Sequence, residues 1–369
     1  MPALSADDQA TSPQAREAYD RARDLEKRGD EGAALALLWT ASGLAPRDAE
    51  IQMRLAGALE RVGALDAAID AWRAALDARP GDRTAERGLV LALVAAGRSP
   101  EAVQLARAAA DSRPDAADAL FLLGLAQSEQ DVEAAREHFT RALARDPRHT
   151  LARYNLALVL KRLDRLDEAL VELRRVIAAD PRAEAHHALA QVLWHRGDDA
   201  RAVDALQAAI TMEPRHAEAH TLLGVISAAQ RDWTAAAASL RHALTLRPDK
   251  AGTHETLARV LRASGDRAGA ARHQAEGERL RRAADRDQEA RVLTSLGTAR
   301  LEQGDALAAL DAFRKALAVN AGYAPAHFQI GRALDRLGHT DAADGAYARA
   351  RALNPNLVPP PRRGSPTPP

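Results

Sequence analysis

The chain has 369 residues, and its 51 Lys and Arg are matched by 51 Asp and Glu. That balance leaves no global field to draw nucleic acid or an anionic membrane. Cysteine is absent, which excludes disulfides, thiolate metal ligands and a cysteine nucleophile, and suits a reducing compartment.

In chain order, residues 1–14 come first as a polar tail with no apolar run, expected to be disordered. The first 30 residues show no signal peptide, and no stretch approaches the roughly 20 apolar residues of a membrane span. The expectation is therefore a cytoplasmic chain with no membrane partner. Ser12-Pro13 reads as an N-cap followed by proline in a first helical turn.

From residue 15 the chain is periodic. Proline falls at 46, 80, 114, 147, 181, 214 and 248, spaced by 33 or 34 residues. Laid out at that period, repeats start at 15, 49, 83, 117, 150, 183, 217, 251, 290 and 324. The eighth column is Gly or Ala in every repeat but one, where Val90 stands. The twentieth is alanine throughout, from Ala34 to Ala343, and the seventh is Leu or Ile in all repeats but the first. Each repeat carries a helical apolar pattern, a break such as Gly29-Asp30 or Gly197-Asp198, a second helical pattern, then proline. Small residues in columns 8, 20 and 27 let two helix axes approach closely. One helix pair cannot bury its own apolar face, so the pairs must stack.

These columns resemble the tetratricopeptide repeat (TPR) family, which favours Leu-Gly/Ala at 7 and 8, Ala at 20 and 27, and Pro at 32. The resemblance covers residues 15 to about 355 and implies an all-α, right-handed α-solenoid of ten helix-turn-helix repeats. The aromatics that the family often places at columns 4, 11 and 24 are mostly replaced here by Leu, Ala or polar residues.

Repeats 1–8 span 15–284. Residues 285–289 are an insertion with no proline, and Arg282 stands in the proline column. With no stop signal after Gly277, the second helix of repeat 8 is expected to run on by about 1.4 turns. Repeats 9 and 10 span 290–355 and are too few to stand alone, so they should pack on the others. Residues 356–369, with Pro359-Pro360-Pro361-Arg362-Arg363, are expected to be an extended or disordered tail. No extra polar capping helix is apparent, so Leu357 and Val358 are candidates to cover the last helix pair.

The stretch AHHALAQVLWHRGDDA, residues 185–200, holds three histidines and raises the question of a metal or catalytic centre. His187 and His195 are eight apart on one helix, a rise of about 12 Å, against a zinc–nitrogen bond of about 2.1 Å. His186, His220 and His254 share column 4 of successive repeats, separated by helices roughly 10 Å apart. No partnered nucleophile or carboxylate pair accompanies them. No catalytic residue, metal or cofactor is therefore expected.

In the TPR family, columns 2, 5, 6, 9, 12 and 13 line a concave groove that takes extended peptides. Column 5 includes Phe121, Tyr154 and His187; columns 12 and 13 add Lys161, Arg162, Trp194 and His195; column 9 adds Leu125 and Gln191. Asn155 lies where the family uses asparagine to hold a peptide backbone. This strip across repeats 3 to 6 is the expected partner-binding surface: aromatic and apolar side chains for burial, Lys161 and Arg162 for a carboxylate. The same columns also serve packing, with Trp194 leaning on a neighbouring helix. The family's carboxylate clamp finds no three matching consecutive repeats, and an asparagine ladder in column 6 finds only Asn155. The expected function is an adaptor that binds another protein, as an extended peptide or helix, and not nucleic acid. Two alternatives stand beside it: a structural protein self-assembling through uncapped end repeats, and a non-catalytic regulatory subunit of an enzyme on another chain.

Overall fold

The structure, a computed structural model, describes residues 12–355 together with 357 and 359. The tails read above as disordered, including Val358 and the Pro360–Arg363 run, otherwise lie outside the described residues. All secondary structure described is α-helical, in nineteen helices. In chain order these are α1 (Pro13–Lys27), α2 (Glu31–Leu44), α3 (Ala49–Arg61), α4 (Leu65–Ala78), α5 (Arg83–Ala95), α6 (Ser99–Ser112), α7 (Ala117–Gln127), α8 (Val132–Arg145), α9 (Thr150–Arg162) and α10 (Leu166–Ala179). They continue as α11 (Ala183–His195), α12 (Asp199–Met212), α13 (Ala217–Ala229), α14 (Trp233–Leu246), α15 (Ala251–Ala263), α16 (Arg267–Glu302), α17 (Ala306–Val319), α18 (Ala324–Arg336) and α19 (Thr340–Leu353). Ten repeats give nineteen helices because the second helix of repeat 8 and the first of repeat 9 are fused in α16. Between Gly277 and Glu302 no proline interrupts the run, so nothing stops the helix there.

The chain divides into two compact modules. A terminal module holds residues up to Ala109 and from Arg286 onward, and a central module holds Ala110–Asp285.

The Gly-Asp break has a physical reading. Gly29, Gly197 and Gly304 adopt φ of 78°, 84° and 86°, the left-handed conformation that ends a helix. The next residue then caps the following helix: Asp30, Asp198 and Asp305 each accept a hydrogen bond from a backbone N–H three residues on. Two repeats reach the same turn without glycine, at Asp164 (φ 58°) and Arg231 (φ 62°).

The column-20 alanines are buried in every repeat. In six of the repeats columns 8 and 24 are matched in size, whereas repeat 2 pairs Ala56 with Trp72 and repeat 7 pairs Gly224 with Leu240. Where column 8 is Gly124, Gly297 or Gly331, column 24 is Phe139, Phe313 or Tyr347, and each ring lies where a glycine Cβ would stand. Where column 8 is Ala157 or Ala190, column 24 is Leu173 or Leu206; where it is Val90, column 24 is Ala106. All six of these partners are buried, so in these repeats the contact keeps a roughly constant filled volume by trading size across it.

Within the terminal module, repeats 9 and 10 contact repeats 2 and 3 directly. Arg73 and Arg98 both pair with Glu302, at 3.0 and 3.1 Å. The Asn354 amide donates to the Val62 carbonyl at 3.3 Å. Leu357 is buried and lines the same seam, beside Tyr323 and Phe328.

Candidate functional site

Column 4 explains three of the recurring histidines. His220 Nε2 donates to the Pro214 carbonyl at 3.1 Å, His254 Nε2 to Pro248 at 3.0 Å, and His327 Nε2 to Ala321 at 3.1 Å. Gln52 makes the same bond to Pro46, and Arg153 to Pro147. A long polar side chain at column 4 thus satisfies a carbonyl six residues back, in the turn between repeats. Because a carbonyl only accepts, each histidine carries its proton on Nε2. His254 Nδ1 lies 2.9 Å from His273 Nδ1, so the two rings share a hydrogen bond. Among the described residues no three His, Asp or Glu side chains gather as a metal donor set.

The predicted strip separates into residues that meet and residues that do not. Phe121 is buried, packed against the rings of Phe139 (5.9 Å) and His149 (4.9 Å). Asn155 uses its amide on its own helix, donating to Leu151 O at 2.9 Å. Arg162 turns to the Ser128 carbonyl and to Glu129 at 3.3 Å, in the turn of repeat 4. Leu125 and Tyr154 are half-buried; burial, with Glu184 nearby, raises the Tyr154 hydroxyl's pKa. His195 lies beside Trp194, with ring centroids 5.8 Å apart.

The others form a contiguous group. Lys161 Nζ, at the end of α9, donates to Gln191 Oε1 on α11 at 2.6 Å. Gln191 Nε2 lies 3.4 Å from His187 Nε2, and the His187 ring lies 5.0 Å from that of His216. The Gln191 amide has only protons to offer on that side, so His187 accepts and is neutral. Burial, then the neighbouring His216 and Lys161, push the His187 pKa down to about 4. Burial also pushes the Lys161 ammonium below the ordinary lysine range. No carboxylate among the described residues pairs with Lys161.

His187, Gln191 and Trp194 form one wall of a cavity of about 410 Å³ in the central module. Its centre lies toward the C-terminal side of the predicted strip. Helix α13 supplies Ala217, Glu218, Thr221, Leu222 and Val225; α14 and the turn after it supply Ala243, Arg247 and Lys250; α15 supplies Thr253. Trp194, Leu222, Val225 and the two alanines make an apolar floor. Glu218 and Arg247, paired at 3.6 Å, and Lys250 give it a polar rim. The sequence reading missed the α13 wall, although Glu218, Leu222 and Val225 occupy columns 2, 6 and 9 and were readable in that register.

Two family models described as tetratricopeptide repeat match the chain, one over residues 126–192 and the other over 3–83, 87–131 and 187–251. The second alone covers more than half of the chain, and the chain belongs to the tetratricopeptide repeat family. No curated protein matches it. Among solved structures it resembles a tetratricopeptide repeat protein from Parabacteroides merdae, with 21% identity and a TM-score of 0.56, over 67% of this chain and 99% of that one. It also resembles the APC/C hetero-tetramer Cut9-Hcn1, with 16% identity and a TM-score of 0.52, over 87% of this chain and 67% of that one. The TPR fold is in general a scaffold for protein–protein interaction, and its members are typically non-enzymatic. Among the described residues no helix is long and apolar enough to cross a membrane.

Proposed function

We propose that the central module binds a segment of another protein in the cavity between α11, α13 and the start of α15. The observation that carries this is the cavity itself: about 410 Å³, floored by Trp194, Leu222 and Val225 and rimmed by charge. That combination suits a bulky apolar side chain held by burial and oriented by polar contacts at the edge. Lys161 lies one hydrogen bond away through Gln191 and has no carboxylate partner, so it offers a place for an acidic group of the ligand. The chain acts in this reading as an adaptor rather than a catalyst.

A pull-down from lysate tests it, using the full chain, a Trp194→Ala/Val225→Glu variant and an Arg174→Glu control on α10, with equal helicity checked first. A partner kept by the wild type and the control but lost by the groove variant supports the reading. A partner kept by all three contradicts it.

A second reading, self-association, draws on Val292, Leu296 and Leu307 of the terminal module, which are large, apolar and exposed. Light scattering over a wide concentration range separates the two, because a constant monomer mass removes self-association.

A further inference from the structure

In repeats 9 and 10 the columns that line the cavity of the central module are already filled. Thr298, at column 9 of repeat 9, donates to Asp66 Oδ2 at 3.2 Å. Gln329, at column 6 of repeat 10, donates to the same oxygen at 3.1 Å. Arg332, at column 9, forms an ion pair with Asp70. Phe328, at column 5, is buried. These are the columns of His187, Gln191, Leu222 and Val225. The occupant is the first two turns of α4, whose two aspartates are four residues apart and therefore on one helix face. The partners are 232 to 263 residues apart in sequence, so this is not the stacking of neighbouring repeats.

We propose that the inner face of repeats 9 and 10 is a second segment-binding surface, and that these two turns of α4 are its built-in ligand. The class of ligand follows from the occupant: a helix N-terminus presenting two carboxylates at i and i+4. Asp66 fits the amide and hydroxyl of Gln329 and Thr298, and Asp70 fits the guanidinium of Arg332. An acidic helix from another protein competes for this surface with α4. Its ion pairs, Arg332 with Asp70 and Arg73 and Arg98 with Glu302, are partly exposed and therefore salt-sensitive, beside the buried Phe328 and Leu357. A cavity of about 80 Å³ with Asp66, Thr294, Ser295 and Gln329 in its lining remains in the seam, large and polar enough for water. This inference does not rest on the central cavity, and Trp194 plays no part in it.

The test uses the full chain and a fluorescein-labelled, end-capped peptide of residues 62–79. In the Asp66→Lys/Asp70→Lys variant the surface is vacated. The peptide then binds at least about ten-fold more tightly than to the wild type, where α4 competes. Adding Arg332→Glu to the variant abolishes that binding. Equal binding to the wild type and the vacated variant, or binding indifferent to Arg332→Glu, overturns the proposal. Hydrogen exchange on the unmutated chain guards against a variant that does not fold. Raising salt from about 0.05 M to about 0.5 M should speed exchange in α4 and α18 together and leave α11 and α13 unchanged. No change in α4 and α18 also overturns it.

Discussion

Gly297→Ala puts the size-matching of columns 8 and 24 to the test. A Cβ at Gly297 would stand 2.3, 2.6 and 2.9 Å from three ring carbons of Phe313. Ordinary carbon contacts lie at about 3.5–4.0 Å, so the ring must retreat by roughly an ångström. Phe313 is fully buried, enclosed with Leu301, Leu310 and Ala333, and has nowhere to go. Overpacking of this kind costs about 1–3 kcal/mol, while replacing a mid-helix glycine by alanine recovers about 1 kcal/mol. The net expectation is a loss centred on about 1 kcal/mol, within a range of about 0–2. Gly345→Ala on α19, where a Cβ meets nothing within 4 Å, should instead stabilise by about 1 kcal/mol. Adding Phe313→Leu to Gly297→Ala recreates the Ala190–Leu206 pair of repeat 6 and should recover part of the loss, giving a favourable coupling in a double-mutant cycle. Urea unfolding followed by circular dichroism reads every variant of the cycle. If Gly297→Ala is as stable as the wild type, or the Phe313→Leu background gives no coupling, size-matching is not what holds these helix pairs together.

Asp164→Gly and Arg231→Gly should each raise stability by up to about 1 kcal/mol, because both residues sit in the left-handed region where seven other repeats use glycine; unchanged melting temperatures would show that neither residue is strained. His254→Leu, which loses its bond to the Pro248 carbonyl, should cost about 1 kcal/mol, while His254→Gln, which copies the bond of Gln52 to Pro46, should keep most of it; equal losses would contradict the role given to column 4. His187 has its pKa lowered to about 4 by burial, so the unfolded chain takes up its proton first as pH falls. Its contribution to stability is therefore full above about pH 6.5 and declines between there and about 4, and His187→Gln should flatten that part of the stability–pH curve. A curve of unchanged shape would place His187 in water.

The repeat register made much of this legible in the sequence. Columns 8, 20 and 27, the Gly-Asp break and the proline spacing each have a local cause that a single column displays. The merging of two helices into α16 was half visible: the missing stop after Gly277 showed, but not that the helix runs through Glu302. Pairings across columns were less legible. Phe121 reads as groove-facing by register, yet its ring packs between Phe139 and His149. Asn155 reads as a ligand-holding amide, yet its own helix offers the Leu151 carbonyl at hydrogen-bond distance. Arg162 follows the Ser128 carbonyl instead of joining Lys161. The strip was placed by its aromatics, whereas the cavity forms where Leu222, Val225 and Ala243 leave room beside Trp194. The contact of repeats 9 and 10 with α4 had no local signal, since its partners are more than two hundred residues apart.

The central claim, that a protein segment lies in the cavity beside Trp194, is met most directly by a photo-crosslinker placed at Val225 of the full chain. Benzoylphenylalanine at 225 should capture one defined partner segment, mapped by mass spectrometry, and the same group at Arg174 on α10 should not. Capture of the same segment at both positions, or none at 225 while the partner remains bound, would contradict the account.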